Sequence, residues 1–293
     1  MRLSSSITIF RMIKRFCAFP IVRIVLIVLL FGVLIAPLVL ATHGWDSPWA
    51  RVAVNWMLFA ALLVSVAVVE LLTVRKSLAA VGFGPRTALR DLGLGAVFGA
   101  ALFSVVVLEL AVSGHYSIVA VHFTPDLAIA ALLLLPAAAV EELLFRGVLF
   151  RLIEGWSGTW IALAVSAAVF GFAHSGNAGA TWVSTLAVAL EAGVLLAAAF
   201  VVARNLWFPI GIHFAWNFCE GPIYGAQISG HAFGKSALTA QLNGPTLVTG
   251  GAFGPEAGLP ALLTCLLAAI ALLVLAVRRS QVVPANWKMS RQL

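Results

Sequence analysis

Eight mostly apolar stretches, separated by short polar or glycine-containing segments, run through the chain at about 21–42, 52–72, 92–113, 127–150, 158–175, 181–203, 208–224 and 257–277. A helix needs about 20 residues to cross a hydrocarbon layer roughly 30 Å thick, and these stretches have that length or slightly less. None shows the two-residue alternation of an outer-membrane barrel. The pattern predicts an all-α, polytopic integral membrane protein with about eight transmembrane helices around a polar intramembrane cavity. Residues 1–20 mix Arg and Lys with Ile7, Phe10, Phe16 and Phe19, which suits an amphipathic cytoplasmic helix lying on the membrane. Residues 21–280 form one transmembrane domain and 281–293 a cytoplasmic tail. The first apolar stretch is too long for a cleaved signal peptide and reads as a retained span.

Basic residues fall in alternate connections. Arg2, Arg11, Lys14, Arg15 and Arg23 precede or open the first stretch; Arg75, Lys76, Arg86 and Arg90 lie between the second and third; Arg151 follows the fourth, Arg204 the sixth, and Arg278, Arg279, Lys288 and Arg291 the eighth. Cytoplasmic loops carry the excess of Lys and Arg, so both termini are expected in the cytoplasm. Trp45, Trp49, Trp156, Trp160, Trp182, Trp207 and Trp287 fall near stretch ends, where an indole prefers the headgroup level.

Composition agrees with this picture. The 293 residues are 62% hydrophobic and 10% charged, with a mean hydropathy of +1.07, against an apolar share of roughly 45–50% in soluble domains. The net charge of +7 is accounted for by topology and anionic lipid, and nucleic acid is excluded as a partner. Cys17, Cys219 and Cys265 have no Cys-x-x-Cys spacing, so neither a disulfide framework nor a thiolate metal site is expected. Residues 225–256 are Gly-rich with Pro245 and Pro255, and read as an irregular cap on the outer side.

Ionisable groups inside the apolar stretches carry the chemistry, because each costs at least a few kcal/mol in hydrocarbon unless it faces a partner or a cavity. They are Glu141 and Glu142 with Arg146, His174 behind Phe170, and His213 with Asn217. Glu141 lies 15 residues before Trp156 and His174 18 after it, so a helical hairpin turning there brings carboxylate and imidazole to one depth, about 20 Å below the outer surface and toward the inner leaflet. Glu142 and Arg146 are an i, i+4 pair on one face, expected as a structural ion pair near the cytoplasmic interface. Glu141 points about 100° away and is left to act. A Glu and His pair can take a proton from water and return it to a leaving group. His213 and Asn217, four residues apart on one face, carry donors suited to a developing oxyanion. Phe170 is expected to pack beneath His174. Glu70, Glu109 and Glu191 read as helix–helix bonding or interface residues, with Glu191 central in its stretch.

Glu-Glu-x-x-x-Arg at 141–146, Phe-x-x-x-His at 170–174 and His-x-x-x-Asn at 213–217 together resemble the three motifs of the type II CAAX prenyl endopeptidase family, also called the CPBP family or glutamic intramembrane proteases. The resemblance covers a motif core of about 127–220. It implies a multi-helix membrane core, commonly of eight spans, in which Glu141 and His174 activate the attacking water and His213 and Asn217 form the oxyanion hole, with Glu142, Arg146 and Phe170 in support and no cofactor. It also implies a membrane-associated peptide or protein substrate, prenylated or otherwise lipidated. The Ala-rich, compact style points to a bacterial inner membrane. Two other readings stay open: a zinc protease with His174, His213 and Glu141 as ligands, although no His-Glu-x-x-His is present, and a non-enzymatic membrane protein, such as a transporter or a bacteriocin-immunity binder, whose polar cluster is a solute or proton site.

Overall fold

The computed structural model describes residues 16–122 and 126–285. The amphipathic stretch expected before residue 16, and the positions of Trp287, Lys288 and Arg291, lie outside the described residues. Among those described, eight helices exceed ten residues: α1 Pro20–Ala41, α2 Pro48–Val74, α3 Pro85–Val112, α4 Asp126–Ser157, α5 Thr159–Ala173, α6 Trp182–Ala203, α7 Trp207–Phe218 and α8 Leu259–Arg278. Six of them, all but α5 and α7, are long and apolar enough to cross a membrane. Each of the eight expected stretches is therefore helical, but α5 has only 15 residues and α7 only 12 before its geometry changes. Prolines with their fixed φ start α1, α2 and α8, where a missing N–H leaves no bond unmade. Ser47 caps α2 by accepting from the Ala50 amide at 3.1 Å.

Lipid-facing surface is apolar, as with Leu29 and Val33 on α1, Leu71 and Leu72 on α2 and Leu267 on α8. The interior divides into two apolar clusters. One gathers Phe103, Phe170, Trp216 and Phe253; the other gathers Ile27, Leu62, Phe150 and Leu206. Helices in lipid gain little from hydrophobic burial against each other, so close packing must hold them. At the α3–α7 crossing, Gly95 faces the Phe208 carbonyl and Gly211, while Gly211 faces the Leu92 carbonyl, and a Cβ on either would collide with backbone. Gly211→Val should push apart the helix that carries His213, destabilising the protein by about 1–3 kcal/mol; a thermal melt in detergent with wild-type Tm would contradict that packing.

Several arginines counted as loop charges are held in ion pairs. Glu70 accepts from Arg23 on α1 and from Arg151 on α4, the latter at 2.6 Å, so one buried carboxylate ties three helices. Arg204 pairs with Glu154 at 2.6 Å. The first residues of the expected tail strap the helix ends: Gln281 Nε2 donates to the Val202 carbonyl at 2.9 Å, and the Val283 amide donates to Thr159 Oγ1 at 2.8 Å across the α4–α5 turn.

The segment before α4 and the connection after α7 contain a small sheet that hydropathy did not anticipate. Strand β1, Tyr116–Val121, pairs antiparallel with β2, Leu238–Leu242, with a bulge between Ile118 and Ala120. Burial and the neighbouring Tyr224 push the Tyr116 phenol up to about 12, so it keeps its proton and donates to the Tyr224 carbonyl at 2.9 Å. The rest of the 225–256 connection bends back into the helices. Asn177 Nδ2 donates to the Ser229 carbonyl at 3.0 Å and the Gly230 amide to the Phe253 carbonyl at 2.6 Å. Gly230 needs its φ of +83° to lie against the Ala178 carbonyl, a conformation and an approach closed to other residues.

Candidate functional site

Three helices, α4, α5 and α7, carry the motif residues, and α6 packs against them. Immediately after Glu142 the α-helical winding of α4 opens into a π segment, Leu143–Phe150. Two further π segments follow, Ala189–Gly193 within α6 and Cys219–Ile223 at the end of α7. Such wide turns are rare, leave carbonyls available for other donors and occur at functional sites.

Glu141 and Glu142 diverge as adjacent helical residues must. The Glu141 side chain is 35% exposed and that of Glu142 is wholly buried. Glu142 Oε1 accepts from Arg146 Nη1 at 2.8 Å and from His213 Nδ1 at 2.9 Å. Arg146 Nη2 donates to the Ala192 and Gly193 carbonyls, each at 3.2 Å, in the π segment of α6. Its guanidinium stacks 4.5 Å from the centre of the Phe170 ring. The pair expected near the interface is thus fully buried. It is also more than a local pair, because it joins α4 to α6 and α7 and fixes an imidazole.

His174 caps the end of α5, and its Nδ1 lies 2.8 Å from the Phe170 carbonyl. A carbonyl can only accept, so Nδ1 carries the hydrogen and the neutral ring presents a bare Nε2. The same logic puts the hydrogen of His213 Nδ1 toward Glu142. Both rings consequently aim Nε2 at one atom: Glu141 Oε2 stands 3.9 Å from His174 Nε2 and 3.9 Å from His213 Nε2. That separation exceeds a direct hydrogen bond, and Glu141 Oε2 has no hydrogen-bond partner. Phe170 lies 4.7 Å from the His174 ring and 5.0 Å from Phe145, centre to centre, so it supports both His174 and Arg146. Asn217, one turn beyond His213, lines the same chamber as Glu141, His174 and His213.

This chamber has a volume of about 540 Å³. Asn177, Ser229, His231 and Phe233 also line it, and hydropathy reading assigned none of them to the site. The cleft lies against the cap connection, whose Ile228, Ser229, His231 and Phe233 form one of its walls. A second, smaller chamber of about 30 Å³ adjoins it behind His213 and Asn217 and is lined by Glu191, Glu256 and Cys265. Its signal in sequence was the lone central Glu191; Glu256, at the foot of the cap, gave none. Among the described residues no three His, Cys, Asp or Glu side chains are arranged to hold a metal ion.

Residues 123–219 match the family model described as type II CAAX prenyl endopeptidase Rce1-like. The match runs from the start of α4 to the end of α7 and contains all three motifs. No curated protein and no solved structure matches the chain. Its apolar helices make the chain an integral membrane protein, and the part of it from α4 to α7 is similar to the CAAX prenyl endopeptidases.

Proposed function

We propose that the protein is an intramembrane endopeptidase that hydrolyses a peptide bond of a membrane-associated or lipidated substrate without a metal ion. The observation that carries this reading is the convergence of two pinned imidazoles on Glu141 Oε2. Two acceptors, the Glu141 carboxylate and His174 Nε2, face the gap in which a water can be held and deprotonated. The water oxygen then attacks the carbonyl carbon, and the oxyanion that forms is met by the Asn217 amide and by the Nε2–H that His213 bears when it holds a second proton between Glu142 and Glu141. The proton taken from water passes to the amine nitrogen as the C–N bond breaks. Glu142 and Arg146 hold His213 in the orientation this requires, which makes them positioning residues.

The zinc reading fits less well. Ligands about 2.0–2.1 Å from one tetrahedral ion stand roughly 3.3 Å from each other, closer than the 3.9 Å separating Glu141 Oε2 from either imidazole. The test is cleavage of lipid-anchored peptides by the full chain in proteoliposomes, before and after chelation. Activity is expected to be unchanged by chelators; loss on chelation and recovery on adding zinc would replace this mechanism with a metal-dependent one.

A further inference from the structure

We infer that the small chamber behind His213 and Asn217 is a specificity subsite that takes the ammonium group of a substrate lysine. The inference rests on the peptidase reading and adds a substrate feature to it. His174, His213, Asn217 and Ser229 line both chambers, so a side chain entering the small one would belong to a chain lying in the large one, beside the reacting bond.

Charge and unmet bonding define what it would hold. Glu191 is 1% exposed, lines the chamber, and its Oε2 has no hydrogen-bond partner. Glu256 lines it too, 5% exposed, with Oε2 accepting from Ser229 Oγ at 2.6 Å. A third carboxyl, Glu220, is fully buried nearby with neither oxygen hydrogen-bonded, although it does not line the chamber. No Lys or Arg lines the chamber, and Arg146 is committed to Glu142 and two carbonyls. Carboxyls buried this close together cannot all ionise, and a cationic donor would both meet the open oxygen of Glu191 and supply the countercharge that its ionised form lacks. Glu191 occupies the π segment of α6, whose extra residue is a usual means of turning a functional side chain inward.

Size selects among cations. A water needs about 10–15 Å³ of such space, so the roughly 30 Å³ present matches a water-sized ammonium better than a guanidinium with three nitrogens in a plane. Phe170, Leu196 and Trp216 give the chamber an apolar wall against which methylenes of a lysine stem can lie. The carboxylates are not arranged as a metal cage among the described residues, which favours an organic cation held from one side.

The probes are n-butylammonium, n-butylguanidinium and n-butanol, added at matched ionic strength to the full chain in detergent. n-Butylammonium at tenfold excess over its Kd should raise Tm by about 2–4 °C; the other two should not, and Glu191→Gln should abolish the shift. If that variant does not fold, Glu256→Gln serves in its place. A shift that persists in the variant, or one equal for guanidinium, overturns the subsite. In parallel, lipid-anchored peptides carrying Lys, Arg or norleucine at each position around the cleaved bond are offered to the protein in proteoliposomes. A Lys preference of about tenfold or more at one position, collapsing toward unity in Glu191→Gln, supports the subsite. Cleavage with no such preference overturns the subsite and leaves the peptidase standing. Glu191-dependent butylammonium binding without any cleavage supports the ammonium site and sinks the peptidase reading instead.

Discussion

Glu141→Gln is expected to lower the rate of peptide cleavage by about 10²–10⁴-fold, the usual contribution of a positioned general base, while leaving the melting temperature of the detergent-solubilised protein within error of wild type. The split between the two readouts follows from the packing. The Glu141 side chain is one-third exposed, and its Oε2 faces the chamber without a hydrogen-bond partner. Its loss therefore breaks no bond that the fold depends on, and a side chain of that kind contributes little to stability. Gln retains the shape but cannot accept a proton. Cleavage retained in the variant would remove Glu141 from the mechanism, and a large fall in Tm would show that it holds the fold instead.

Arg146→Ala is expected to destabilise the protein by about 3–5 kcal/mol, because it leaves the Glu142 carboxylate buried without its countercharge. The same change strips donors from the Ala192 and Gly193 carbonyls and removes the cation above Phe170. Arg146→Lys keeps the charge but not the planar fork that reaches a carboxylate and two carbonyls at once, so it should recover only part of the loss. Because Glu142 also orients His213, both variants should lose activity at temperatures where they remain folded. Denaturation of Arg146→Ala within about 1 kcal/mol of wild type would show that this cluster is not what joins α4, α6 and α7.

Local patterns made part of this arrangement legible in advance. The Glu142–Arg146 pair follows from i, i+4 spacing alone, and the depth match of Glu141 with His174 follows from counting residues about a turn. The helices themselves follow from apolar length, though α5 and α7 are shorter than their stretches implied, because Ser175–Gly176 and Pro222 disturb them and hydropathy does not register that. Contacts between distant parts of the chain were not legible. Glu142 and His213 are 71 residues apart, and nothing in either motif says that one ring is fastened by the second carboxylate rather than the first. Ser229 and His231 sit in a Gly-rich connection with no periodicity to aim them. The β1–β2 pairing links segments more than a hundred residues apart, and the strap at 281–285 acts mainly through backbone amides and carbonyls, which side-chain patterns do not report.

The three π segments have a consequence for how the chain tolerates change in length. A π turn carries one residue more than an α turn, and one residue of α-helix corresponds to about 100° of rotation. Along α7, His213 and Asn217 precede Cys219–Ile223 and face the larger chamber, while Glu220 falls within it and turns to the carboxyl side. Deleting a single codon there would let ordinary winding resume and swing everything downstream by that angle, although no residue with a chemical role had been touched. Drift in the gene can thus exchange apolar residues freely along these helices, whereas a change of reading length by one amino acid would dephase the walls of the cleft.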